Sequence, residues 1–306
     1  MKNTFRTLTG TLALSVAFLS TPASADDHAA ATTAPAVAEA PAGPALWSVA
    51  DEDTTIYLFG TVHALPKDVE WLDEDISSAL AASDTLVTEV DMEAMAGPKM
   101  VELVQTTAVL PAGTTLRSLM SEDQVKIYEA AMQKIQVPPA AFDQFEPWYA
   151  GMMMSLVPLM QQGYSPDAGV EAVLIKQAGE IDKDALETVE FQLGVFDGLP
   201  QDAQVKFLIE ASESVDEIKP MLDAMVAEWL EGDAEGLADI MNESLDDEAL
   251  AEALLYYRNR NWADWIETRM DAPGTVFMAV GAGHLAGEKS VQDYLEQRGM
   301  TVTRVQ

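Results

Sequence analysis

The run Thr275-Val276-Phe277-Met278-Ala279-Val280 constrains the fold more than any other stretch of the chain. It has no polar alternation, which describes a strand covered on both faces. The run enters Gly281-Ala282-Gly283-His284, a helix is predicted over 288–297, Gly299 follows, and Thr301-Val302-Thr303-Arg304-Val305 reads as a last strand. Strand, loop, helix and strand at this length imply a right-handed βαβ crossover. The C-terminus therefore belongs to an α/β domain.

The beginning of the domain has the same grammar. Leu46-Trp47-Ser48-Val49 and Thr54-Thr55-Ile56-Tyr57-Leu58-Phe59 flank the polar turn Asp51-Glu52-Asp53 and read as a β-hairpin. Its second strand runs into Gly60-Thr61-Val62-His63. A helix over 73–82 is followed by a strand, Thr85-Leu86-Val87-Thr88, that ends at Glu89-Val90-Asp91. From 92 to 177 the pattern is helical, with breaks expected at Pro111, Pro138-Pro139 and Pro158. Met152-Met153-Met154, beside Trp148 and Tyr149, reads as core. A weaker strand is expected over 184–190, turning into Phe191-Gln192-Leu193, and a second helical block over 200–269. The fold class is α/β: a central mixed β-sheet flanked by helices, with a large helical insertion.

Ahead of this domain, Lys2 and Arg6 precede an apolar run around Leu12–Leu19, and Pro22 precedes Ala23-Ser24-Ala25. That is the layout of a secretory signal peptide cleaved after Ala25. Residues 26–44 are mostly Ala, Pro and Thr, a flexible tether in which His28 is solvated. The domain proper spans 45–306, and the expected location is periplasmic or secreted. The chain has no Cys, which excludes thiolate metal sites and a cysteine nucleophile. No later apolar run approaches membrane-spanning length, so no transmembrane anchor is expected after cleavage. With 51 acidic and 17 basic side chains the net charge is −34. Such a surface repels phosphate backbones and argues against a nucleic-acid partner.

The two histidines of the domain share a pattern. His63 and His284 each follow a glycine, Gly60 and Gly281, by three residues, and each lies just beyond a predicted strand. In open α/β sheets ligands bind outside the carboxyl ends of strands, and glycine there lets the backbone bend closely round a crevice. Glu89 falls at another strand end, as does Glu187 or Glu190. Two neutral imidazoles with one or more carboxylates suit a catalytic divalent metal ion, its identity (Mn, Co, Zn or Fe) open. The same groups could act without metal as general acids and bases. The plainer reading of a strand-end histidine is a structural hydrogen bonder, and Arg258 near Trp262 could merely cap a helix or stack on the ring.

Taken together these segments resemble the TraB/PrgY/GumN family, whose animal relatives are the TIKI Wnt-inactivating proteases. Leu58-Phe59-Gly60-Thr61-Val62-His63 with Leu65-Pro66 is similar to the family's first Gly-x-x-His, and Thr88-Glu89-Val90-Asp91 to its glutamate strand. Leu186-Glu187-Thr188 with Glu190 and Gln192 resembles its Leu-Glu-Thr segment. Arg258-Asn259 with Trp262 resembles Arg-Asn-x-x-Trp, and Val280-Gly281-Ala282-Gly283-His284-Leu285 the second Gly-x-x-His. The resemblance implies an erythromycin esterase/ChaN-like fold and a metal-dependent hydrolase of peptidase type acting on a peptide or small molecule. His63, His284 and Glu89 would bind or surround the metal. Glu89 or Glu187 would be ligand or general base, and Arg258 would stabilise developing negative charge. The competing expectation is a non-catalytic periplasmic protein that binds a peptide, signal molecule or haem in the same crevice. A third is an envelope-assembly factor with vestigial histidines.

Overall fold

The computed structural model describes residues 43–244 and 248–306. The expected signal peptide, His28 and the tether as far as residue 42 lie outside the described residues. Eight strands are present among the described residues: β1 (Leu46–Ala50), β2 (Thr54–Thr61), β3 (Leu65–Pro66), β4 (Thr85–Val90), β5 (Tyr164–Ser165), β6 (Asp182–Glu187), β7 (Gly274–Gly281) and β8 (Val302–Arg304). Six form a mixed sheet in the order β6-β4-β7-β2-β1-β8, and β3 pairs with β5 separately.

Strand β7 lies inside the sheet, parallel to β2 on one side and to β4 on the other. Val276, Phe277, Met278, Ala279 and Val280 are all 1% exposed or less, as a run without polar alternation requires. On one face Phe59, Leu86 and Phe277 pack with Trp71, Leu174 and Trp229. On the other, Leu58, Val87, Met278 and Val280 pack with Trp262, Ile266, Val291 and Leu295. Each fully buried large side chain contributes about 1.5–3 kcal/mol, so these two layers dominate the stability of the sheet. Met154 is fully buried in a helical cluster with Tyr128, Met132 and Leu208.

The register sets the site. Thr61 on β2 stands opposite Gly281 on β7, Thr88 on β4 opposite Ala279, and Val90 opposite Glu187 on β6. Four parallel strands thus deliver their carboxyl ends, and the loops that leave them, to one edge of the sheet.

Two expectations are corrected. Pro158 does not break its helix, which runs Pro147–Gln161; a proline this close to the C-terminal end removes one backbone bond and leaves the turn intact. The strand expected over 184–190 stops at Glu187, because the Thr188 hydroxyl accepts from Phe191 N (3.1 Å) and starts a helix at Val189. The crossover expected after β7 is present and skips two positions. The helix Val291–Gln297 carries the chain past β2 and β1 to β8, which pairs antiparallel with β1.

A long helical passage enters the site between β6 and β7. Helical turns over Glu248–Ala251, a wider π turn over Glu252–Tyr256 and the helix Tyr257–Arg269 succeed one another, and the Tyr257 N–H donates to the Glu252 carbonyl. A π turn shifts the phase of the succeeding helix by one residue, and such turns are frequent at functional sites. Here it ends one residue before Arg258 and Asn259, which with Trp262 are buried against the sheet edge.

Candidate functional site

Glu89 is the inward-facing residue next to the end of β4. Its Oε1 accepts from the Gly281 N–H at 2.6 Å, and its Oε2 from Arg258 Nη2 at 2.6 Å and Gln192 Nε2 at 2.9 Å. Glu187, at the end of β6, accepts from Arg258 Nε (2.9 Å) and Nη2 (2.9 Å), from Trp262 Nε1 (3.0 Å) and from Gln192 Nε2 (3.0 Å). Arg258 Nη1 donates to the Leu254 carbonyl at 3.0 Å and to His284 Nε2 at 3.0 Å. All five guanidinium N–H groups therefore have acceptors, and the guanidinium lies 4.8 Å from the centre of the Trp262 ring.

The partners fix the tautomer of His284. Its Nε2 faces an N–H donor and must carry the lone pair, so the proton is on Nδ1, 2.5 Å from Asn259 Oδ1. Asn259 is held in that orientation by its Nδ2 donating to the Lys289 carbonyl at 2.8 Å. Lys289 has a positive φ of 59°, which places local backbone strain directly behind the site. Burial lowers the His284 pKa from 6.5 to about 3, with Arg258 and His63 acting in the same direction, so the ring stays neutral.

His63 has a partner that sequence reasoning missed. Its Nδ1 lies 2.6 Å from Glu171 Oε1, which also accepts from the Thr61 hydroxyl at 2.5 Å. Glu171 is buried in the first turn of the helix Val170–Ala178. The one local signal is a single carboxylate set among Val170, Ala172, Val173, Leu174 and Ile175. The Glu171 charge raises the His63 pKa above its ordinary 6.5, although the side chain is 69% exposed and water screens part of that pull. Burial alone would raise the Glu89 pKa, but the charge of a protonated His63, the Arg258 guanidinium and the Gly281 N–H hold it below its ordinary value.

The motif glycines are explained by close approach. A β-carbon on Gly281 would stand 3.0 Å from Glu89 Oε1, 3.6 Å from His63 Nε2 and 3.6 Å from His284 Cδ2, so the three groups converge on its bare face. A β-carbon on Gly60 would meet the Ala282 Cα at 3.0 Å. Gly169 is tighter still, because its β-carbon would fall 2.2 Å from the His63 carbonyl oxygen, where Val170 N also donates to the Val62 carbonyl at 3.0 Å. Gly169→Ala must therefore push the His63 exit away from Glu171. The expected loss is at the upper end of the roughly 1–3 kcal/mol typical of overpacking, measured by urea unfolding. A loss below about 0.5 kcal/mol would show that the exit moves freely.

The structure thus brings His63, Glu89, Glu187, Gln192, Arg258, Asn259 and His284 to one edge of the sheet. Glu190 is not among them: it lies on the helix Val189–Asp197 and pairs with Lys99 at 2.5 Å. Among the described residues no three His, Asp or Glu side chains stand as a formed metal site; Arg258 takes the His284 lone pair and one oxygen of Glu89. In donor chemistry the set does suit a divalent ion. Both histidines turn Nδ1 to an oxygen, the outer-shell arrangement that orients Nε2 as a ligand, and the Glu89 carboxylate lies 3.8 Å from His284 Nε2.

A model of the TraB/PrgY/gumN family matches residues 45–304. The uncharacterized protein YbaP of Escherichia coli (strain K12) is 25% identical over 241 residues, covering 78% of this chain and 87% of the relative. YbaP of Shigella flexneri is similar to the same extent. No solved structure matches the chain.

Proposed function

The chain belongs to the TraB/PrgY/gumN family, and from that premise we propose that it is an exported metal-dependent hydrolase of peptidase type. The related proposal for its architecture is an erythromycin esterase/ChaN-like fold. One observation carries the functional reading: His63 and His284 leave two different strands, yet each presents Nδ1 to an oxygen and its ring to the same face of Gly281 beside Glu89.

In this reading His63, His284 and Glu89 hold the divalent ion. When bound, it supplies Lewis-acid polarisation of a scissile carbonyl and of water. The protein's own groups do the rest. Glu171 holds the His63 ring, and Asn259 holds His284 in its Nδ1–H tautomer. Glu187, with Gln192 and Trp262, fixes Arg258 in place beside Glu89. Glu89 or Glu187 would serve as general base. His63 releases its Nε2 proton before it can act as a ligand, so occupation of the site is linked to proton release.

The saturated guanidinium favours a second reading, in which Arg258 remains in place. The same crevice then works without metal, as a binding site for a peptide, signal molecule or haem. Metal analysis of the purified protein separates the two. The wild type is expected to carry one divalent ion per chain, and the His63→Ala, His284→Ala double variant none. Peptide cleavage should disappear on chelation and return with Mn²⁺, Co²⁺ or Zn²⁺. Equal metal content in the two proteins removes the metal centre from the proposal, and a Soret band on haem addition supports the second reading.

A further inference from the structure

We propose that Arg258 is the resident cation of the site, and that it competes with a divalent metal ion for His284 and Glu89. The inference rests on the metal-centre reading above and concerns what stands in the way of loading that centre. His284 Nε2 has one lone pair, and Arg258 Nη1 occupies it at 3.0 Å. Glu89 Oε2 accepts from Nη2 at 2.6 Å. The three side chains are 6–10% exposed, so their mutual attraction is little weakened by water.

An ion reaching His284 Nε2 must break the Nη1 contact, and its charge then repels the guanidinium from Glu89. Arg258 need not leave altogether. Its bonds to both Glu187 oxygens, the Leu254 carbonyl and the face of Trp262 are independent of His284 and Glu89. They can hold the side chain while two of its donors are displaced. Arg258 then acts as a threshold on metal occupancy, keeping the buried acids neutralised when the metal is scarce. This runs against the usual expectation for an active-site arginine, whose removal weakens what binds there.

The test is isothermal titration with Zn²⁺ and with Mn²⁺ on the folded protein. Arg258→Lys keeps one positive charge beside Glu187 but loses the planar fork that spans His284 and Glu89. Arg258→Gln removes the charge. Both variants, checked for folding by circular dichroism, are expected to bind the ion at least tenfold more tightly than wild type. The gain should vanish when His284→Ala is added to Arg258→Lys. Equal or weaker binding by both folded variants, with the wild type binding measurably, overturns the competition and leaves the metal centre standing. If folded Arg258→Gln takes up no ion, with every ligand released, the metal centre itself falls and the competition with it.

Discussion

Arg258→Ala is expected to destabilise the fold by about 3–5 kcal/mol, the cost of breaking a buried ion pair from one side. The guanidinium is the cation between Glu89 and Glu187, whose side chains are 10% and 6% exposed. Without it Gln192 remains as a neutral donor to both carboxylates, while the Gly281 N–H serves Glu89 and Trp262 Nε1 serves Glu187. Two like charges cannot share that environment without uptake of a proton or a cation. Adding Glu187→Gln to Arg258→Ala should therefore recover part of the loss, because the remaining carboxylate keeps the Gly281 and Gln192 bonds. Urea unfolding of the three proteins at neutral pH checks this. A loss below about 1 kcal/mol in the single variant would place Arg258 among ordinary surface pairs.

The second large effect is acid sensitivity with an unusual onset. The His284 pKa is about 3 in the fold against 6.5 when unfolded. A depressed histidine contributes stability that is whole above 6.5 and is lost as the pH falls from there toward about 3, since only the unfolded chain takes up the proton. The cost at pH 4.5 is about 2–3 kcal/mol. Glu89, held below its ordinary 4.5, contributes its own loss only below 4.5. Between pH 6.5 and 4.5 the histidine thus acts ahead of that carboxylate. Mild acid relieves the self-repulsion of a chain of net charge −34, which works the other way. Comparing wild type with His284→Gln cancels that background, because glutamine can accept from Arg258 and does not titrate. The wild type should lose about 2–3 kcal/mol more than the variant between pH 7 and 4.5; parallel curves would refute the neutral, buried ring.

Much of this geometry is legible in the chain itself. Periodicity places the strands, and parallel strands bring their carboxyl ends together, so His63, Glu89, Glu187 and His284 can be assigned to one edge. Gln192 and Asn259 come only from resemblance, since neither stands out locally. Glu171 is out of reach for a physical reason. It meets His63 from 108 residues away, in a helical middle where the chain's many acids mask any single one. The saturation of Arg258 is hidden as well, because how many donors an arginine has free is a property of the packed site and not of the residue. The course of the chain after β7 is equally hard to read. A helix and a final strand imply a crossover, but nothing in them says how many strands it passes.

That last feature carries a consequence for how the molecule comes into being. The first hairpin of the domain, β1 and β2, lies between its last long strand, β7, and its last short one, β8. Neither side of the hairpin can be paired until the C-terminal end of the chain has arrived. The first strands of the domain thus wait, with Ile56 and Leu58 lacking their β7 neighbours, for the last. Pairing across that separation carries a closure penalty before any contact rewards it, and folding should be slow and late. Truncation within β8 would leave the β1 edge open, so the finished sheet, with His63 and His284 on neighbouring strands, is a product of the complete domain.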